Sequence, residues 1–236
     1  MTRQRIIAIG DIHGCAHALD TVIEAIRPTR DDLIIVLGDF IDQGFESRLV
    51  VESLIALRER CEFVSLLGNH EEMLLAARSS EPALRYWENC GGARTLSSYR
   101  FGGSLEDIPF EHWDFIAECR DWYETDEHLF THANFDPELP LAKLPDHTLR
   151  WELLDPEVVR CHNSGKTAVV GHTEQSDGEV LDLGCVKCID TACWRYGWLT
   201  ALDVVSGRTW QASRFGQLRE PDEAPVGPTG PLRSVA

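Results

Sequence analysis

Three short apolar stretches, "RIIAIGD", "LIIVLGD" and "FVSLLGN", end in the same way: branched residues, then a glycine, then Asp or Asn. Runs of that length and composition read as strands buried on both faces. Between them Leu19, Val22, Ile23 and Ile26, and then Leu49, Val50, Ser53, Leu54 and Leu57, recur at helical spacing. The first seventy residues therefore predict a β-α-β-α-β series, which demands parallel strands, because each helix carries the chain back along the sheet. In such sheets the carboxyl ends of neighbouring strands open onto one crevice. Asp11, Asp39 and Asn69, which close the three stretches, are expected to share it.

The same punctuation returns in "HLFTHAN" and "TAVVGHT", which place His132 and His172 after two further apolar runs. Residues 80–125 read as helices with loops at "NCGGA" and "FGGS". After residue 172 the pattern changes to short strands, "VKCID", "GWLTALDV" and "RTWQAS", with Ser206 and Gly207 as a two-residue hairpin turn. A second sheet packed on the first accommodates them. From Gln217 onward four of the chain's eleven prolines and little apolar periodicity predict a flexible tail, leaving residues 1–216 as one domain.

Composition removes several classes of function. The 39 acidic against 22 basic residues give a formal charge of -17, which repels a phosphate backbone and argues against nucleic acid as a partner. No stretch is apolar enough for a membrane span or a signal core, so a soluble cytoplasmic protein is expected. The eight cysteines are scattered through apparent helices and strands, and reduced thiols are expected rather than disulfides. "CVKC" (Cys185 to Cys188) has metal-like spacing, but no second pair follows to complete a zinc site.

Asp11, His13, Asp39, Asn69, His70, His132 and His172 form an oxygen and nitrogen donor set without thiolate, which suits Mn, Fe or Zn better than Mg. A carboxylate can bridge two cations, whereas an imidazole binds one. Two ions roughly 3.5–4 Å apart can share a hydroxide and clamp the oxygens of a phosphoryl centre, so hydrolysis of a phosphate ester is the chemistry suggested. Any one Gly-Asp pair is ordinary turn chemistry. Five successive strand ends carrying ligand-type residues are not.

At "GDIHG", "GDFIDQG", "GNHE" and the two later histidines, the chain resembles the phosphoprotein phosphatase family of binuclear metallophosphoesterases. "YWENCGGARTLSSY", "WYETDEHLFTHANFDPELPL" and "IDTACWRYGWLTALDV" are similar to its bacterial serine/threonine phosphatase branch, so the likeness covers residues 5 to 215. It implies an α/β, calcineurin-like fold of two packed mixed sheets flanked by helices. It also implies two divalent cations, Mn first with Fe or Zn as alternatives: Asp11 and His13 on the first, Asp39 bridging, and Asn69, His132 and His172 on the second. The reaction implied is direct attack by a hydroxide held between the metals, with His70 as proton donor and Asp42 holding its other nitrogen.

Position 43 departs from the pattern. The family usually carries Arg there, and Gln43 replaces a bidentate cation with one neutral amide. Arg150 in "HTLRWELL" matches the family's other phosphate-binding arginine. Asn134, where Gly is usual, is a lesser departure. The resemblance implies phosphoserine or phosphothreonine in proteins, or a small phosphoester, as substrate. Gln43 leaves open a nucleotide or dinucleoside polyphosphate, and also a non-catalytic metal-binding module, against which the retained His70 and Asp42 argue.

Overall fold

The computed structural model describes residues 5–220. The parallel series forms as its periodicity predicts. Strands β1 (Ile6–Ile9), β2 (Leu33–Val36) and β3 (Glu62–Ser65) pair in parallel and are joined by α1 (Ala16–Ile26) and α2 (Ser47–Arg58). Helices α3 (Asn69–Ala77), α4 (Glu81–Trp87), α5 (Ala93–Tyr99) and α6 (Phe110–Ala117) follow. Then come β4 (Trp122–Glu124), β5 (His128–Thr131), α7 (Asp146–Arg150), β6 (Thr167–Val170), β7 (Leu181–Asp182), β8 (Val186–Cys188), β9 (Leu199–Asp203) and β10 (Thr209–Ala212).

The strand orders are β10-β9-β1-β2-β3 and β4-β5-β6-β8-β7. Both sheets are mixed: β9 runs antiparallel to β1, and β4 antiparallel to β5, while β5, β6 and β8 are parallel. Alternation along the strands builds the layers. Ile7 and Ile9 pack with Leu19, Val22 and Leu54 of the helices, whereas Ala8 turns the other way, into a cluster with Ile35, Phe130, Val169 and Leu202 between the sheets. On the far face Leu129, Ala168 and Val170 are covered by Phe135, Leu144 and Leu149. Helices, sheet, sheet and covering segments give the α-β-β-α order. At its edge Arg5 grips Asp32 with Nε and Nη2 at 2.7 and 2.6 Å, tying the start of β1 to β2, and this bond holds the Asp32 carboxyl below its ordinary range.

Several expectations need correction. The hairpin between β9 and β10 turns through four residues, 204–207: Asp203 N donates to Arg208 O, and Gly207 N to Asp203 O. That hairpin also returns to the first sheet, and the second sheet is built instead from β4 to β8. "NCGGA" is no open loop but one π-helical turn, Glu88–Gly92, that kinks α4 into α5 at Gly91. Cys161 and Cys185 form a disulfide, because the fold brings their Cα atoms to 5.5 Å, a proximity that sequence spacing does not reveal. Gln217 to Arg219, assigned to the tail, are held against β10: Arg219 N donates to Gln211 O, and Leu218 bridges Ala212. The remainder of the expected tail, 221–236, lies outside the described residues. Among the described residues no helix is long and apolar enough to cross a membrane.

Candidate metal centre

The crevice at the strand ends is reached by sharp reversals of the chain. His13, Asp39, Asp42, Gln43 and His172 all have positive φ, between 46° and 69°. For a residue with a Cβ that conformation costs on the order of 1–2 kcal/mol, and such strain collects at functional sites. The preceding glycines have a steric reason. A Cβ on Gly68 would sit 2.1 Å from Asp39 Oδ1, and one on Gly171 would sit 2.2 Å from Asp11 Oδ1. Both carboxylates occupy space that only glycine leaves.

Asp39 lies at the middle. Its Oδ2 is 3.4 Å from His132 Nε2, 3.7 Å from His13 Nε2 and 4.0 Å from His70 Nε2. Two triads meet there, His13–Asp39–His70 and Asp39–His132–His172, each with its donor atoms within 4.8 Å of one another. Asn69 joins through Oδ1, 3.0 Å from His132 Nε2. Asp11 falls outside both triads, and its carboxylate accepts the His172 N–H at 3.1–3.2 Å.

Backbone carbonyls fix the imidazoles. His13 Nδ1 meets Ile41 O at 3.0 Å, His132 Nδ1 meets Leu37 O at 2.8 Å, and His172 Nε2 meets Trp151 O at 3.1 Å. In each ring one nitrogen is thereby occupied and the other turns toward the centre, the arrangement that orients histidine ligands; that of His132 meets Asn69 Oδ1 and Asp39 there. Burial and the neighbouring His70 lower His13 to about 4, and burial and His132 lower His172 to about 4, so both are neutral, the ligating form. Burial opposes charge on Asp39, yet the three imidazoles outweigh it and hold the carboxyl well below its usual range.

Four acids crowd this small volume: Asp11, Asp39, Glu71 and Asp190 are each no more than 3% exposed. Burial, then Asp190 and Asp39, push Asp11 well above the carboxylate range, and burial likewise lifts Asp190 to about 7. Buried like charges at this density call for cations, and the neutral imidazoles aimed among them are suitable ligands. The residues fit a pair of divalent metal ions.

His70 differs from the other histidines. Its Nδ1 lies 2.7 Å from Asp42 Oδ2. Burial lowers its affinity for a proton, but Asp39 and the Asp42 bond prevail and raise it to about 9. It is therefore an imidazolium at neutral pH, a donor in form rather than a ligand. Asp42, fully buried, receives the Trp87 Nε1–H on Oδ2 at 2.8 Å and the Thr95 hydroxyl on Oδ1 at 2.6 Å, and its own N–H meets Thr95 Oγ1 and Ser47 Oγ. The segment 86–99 thus forms the wall behind Asp42.

Sequence reasoning did not single out Trp87, Thr95, Ser47 or Glu71. Glu71 accepts four backbone N–H groups, Asp39 and Gly68 on Oε2, Phe40 and Ile41 on Oε1, and so shapes the loop that presents Asp39. Burial and Asp39 lift it to about 7 despite those donors. Its place in "GNHE", directly after His70, was the available signal.

The two expected phosphate-binding residues are engaged elsewhere. Gln43 Nε2 donates to Cys90 O at 2.9 Å. Arg150 is held by three carboxylates, with Nη1 at 2.9 Å from Glu72 and 3.3 Å from Asp146, and Nη2 at 2.6 Å from Asp121. Only its Nε is without a hydrogen-bond partner. The guanidinium expected to bind phosphate ties α7 to α3. Asn134 likewise commits its amide N–H to Leu153 O.

A two-sheet α/β fold with nitrogen and oxygen ligands at its strand ends defines a metallophosphoesterase. The chain belongs to the calcineurin-like phosphoesterase family, whose profile matches residues 4–192. It is 28% identical over 152 residues to serine/threonine-protein phosphatase 1 of Salmonella typhimurium, a match covering 63% of each chain. It is 31% identical over 103 residues to a symmetrical bis(5'-nucleosyl)-tetraphosphatase of Burkholderia pseudomallei, covering 44% of this chain and 32% of that one. In both cases the match spans less than two thirds of the relative. A cold-active protein-tyrosine phosphatase from a Shewanella species shares the fold, with TM-score 0.61 and 16% identity over 92% of this chain and 80% of that one.

Proposed function

We propose that this chain is a metal-dependent phosphatase in which Asp11, His13, Asp39, Asn69, His132 and His172 hold two divalent cations, Mn by preference, and His70 donates the proton to the departing oxygen. The observation that carries this reading is the His70–Asp42 pair set against Asp39: an imidazole anchored at 2.7 Å to a buried carboxylate, its Nε2 turned to Asp39 at the meeting point of the two His/Asp triads. Bound cations would polarise the phosphoryl oxygens and supply the water nucleophile at neutral pH. The chain's own groups do the rest. Asp42 favours the protonated form of His70 and turns it so that Nε2 faces Asp39, and the Trp87 and Thr95 donors fix Asp42 and favour its ionised form against the effect of burial. Glu71 fixes the loop that carries both aspartates.

Two substrate classes agree with this chemistry: phosphoserine or phosphothreonine in proteins, favoured by the likeness to the Salmonella phosphatase, and nucleoside polyphosphates, favoured by the likeness to the tetraphosphatase. The test is phosphate release from a small alkyl phosphate, whose alkoxide leaving group needs the proton, by the full chain with and without Mn. Activity that requires the metal and is lost in His70→Asn is the expected result. Equal release without metal, or full activity in His70→Asn, overturns the assignment.

A further inference from the structure

A cavity of about 680 Å³ opens beside the metal centre, within the size range of small-ligand sites. It adjoins the proton donor's side of the centre. His13, whose ring is 4.8 Å from that of His70, is flanked at 6.3 Å by Trp194 on the cavity wall, and Gln43 continues the wall directly after Asp42. The group that leaves from phosphorus takes its proton from His70, so it lies on this side.

The wall has a consistent chemistry. Phe45, Tyr196 and Phe215 are 70%, 97% and 72% exposed there, an unusual cluster of solvent-facing rings. Each arginine on the wall lies against an aromatic ring: Arg94 over Phe45 at 4.9 Å, Arg195 over Trp194 at 4.6 Å and Arg214 over Phe215 at 4.7 Å. Arg195 is paired with Glu174 at 3.2 Å. Arg94 and Arg214 have no carboxylate within ion-pair distance among the described residues; they donate to the Gln43 and Trp194 carbonyls. Among the described wall residues Glu46 is the one carboxylate, and it faces His17 at 3.4 Å. In a chain of net charge -17, two arginines unpaired by acids within one aromatic cavity make a local anion site.

We propose that this cavity is a leaving-group subsite that takes a flat ring carrying its own phosphate, the chemistry of a nucleoside phosphate, with Phe45 and Phe215 stacking the base and Arg94 and Arg214 gripping the phosphates. An extended peptide has neither feature. The proposal rests on the phosphatase reading above and selects between its two substrate classes. It also accounts for Gln43, since Arg94, reaching the same loop from α5, brings the cation that position 43 lacks. In hydrolysis of such an anhydride the water oxygen bonds to phosphorus, the bridging P–O bond breaks, and the departing nucleotide phosphate keeps the electron pair.

The test compares Mn-loaded full-length chain on adenosine triphosphate, a phosphothreonine peptide and p-nitrophenyl phosphate, with Phe45→Ala and Arg214→Ala variants. The nucleotide is expected to have the lowest KM, and each variant to raise that KM roughly tenfold while its kcat and the turnover of the phosphothreonine peptide stay unchanged. A peptide KM below the nucleotide's, or variants that leave the nucleotide KM unmoved, overturns the subsite. Calorimetric titration with adenosine diphosphate tests the subsite apart from turnover. Binding by the wild type that weakens in both variants supports it even where p-nitrophenyl phosphate is not hydrolysed, a result that would defeat the phosphatase reading alone. Absence of binding at millimolar nucleotide defeats the subsite.

Discussion

Thr95→Val is the cleanest probe of the wall behind Asp42, since it exchanges a hydroxyl for a methyl at constant shape in a position with no solvent exposure. The hydroxyl donates to Asp42 Oδ1 at 2.6 Å and accepts the Asp42 N–H at 2.9 Å. After substitution the N–H retains Ser47 Oγ at 3.1 Å, but Oδ1 loses its side-chain donor. A hydrogen bond to a charged group contributes about 1.5–3 kcal/mol, so unfolding free energy should fall by about 2 kcal/mol, read as a lower urea midpoint with unchanged slope. Burial already raises the Asp42 carboxyl, and losing a donor raises it further. A less ionised Asp42 supports less charge on His70, so the alkaline limb of the pH–rate profile should move to lower pH. The loss should depend on the leaving group. Roughly tenfold is expected with phosphoserine, whose alkoxide needs the proton, and little with p-nitrophenyl phosphate, whose phenolate does not. Equal losses on both substrates, or a stability change with an unmoved pH profile, would refute a role through His70.

Three further outcomes follow from the geometry. Chelation should lower the melting temperature and Mn at a hundredfold over its Kd restore it, by about 2.7 kcal/mol or some 5–10 °C in a chain of this size; an unchanged melting curve would mean that the crowded acids hold no cation. Because the Arg5 bond lowers the Asp32 carboxyl, its stabilisation is present above the ordinary value of about 3.9 and is lost as pH falls through the depressed one; Asp32→Asn should therefore destabilise at pH 7 and lose that penalty in acid, as followed by urea midpoints. Gln43→Arg should raise kcat/KM on p-nitrophenyl phosphate by about tenfold, the difference between a neutral and a charge-assisted bond, and an unchanged or lower value would show that position 43 is not simply missing a clamp.

The parallel half of the fold was legible because its signals are local: each strand and helix declares its own period, and parallel pairing follows from their alternation. What escaped depends on contacts between distant segments. β4 and β7 are two or three residues long, too short to show a period. The Cys161–Cys185 disulfide depends on a crossover that sequence spacing does not encode. The destination of the β9–β10 hairpin is decided by which sheet edge is open, and β1 offers its free side to β9.

The site divides along the same line. Residues that end strands could be read from sequence, since a glycine followed by a polar residue after an apolar run is a local pattern, and topology brings those ends together. The residues that set the chemistry of His70 could not. Trp87 and Thr95 lie 45 and 53 positions from Asp42, and read locally they are an ordinary core aromatic and a helical threonine. Arg150 shows the converse, because local sequence supplied a cation while Glu72, 78 residues away, and Asp121 supplied the carboxylates it meets in the fold. The left-handed φ values of His13, Asp39, Asp42 and His172 follow from the same logic. A turn chosen for stability would place glycine or asparagine at such positions. Side chains that strain the backbone persist there because long-range bonds, Glu71 to the Asp39 loop above all, hold the loops in place. Weakening that hold, for instance by Glu71→Gln, should therefore disturb the positions of Asp39 and Asp42 together, although neither of them would have been changed.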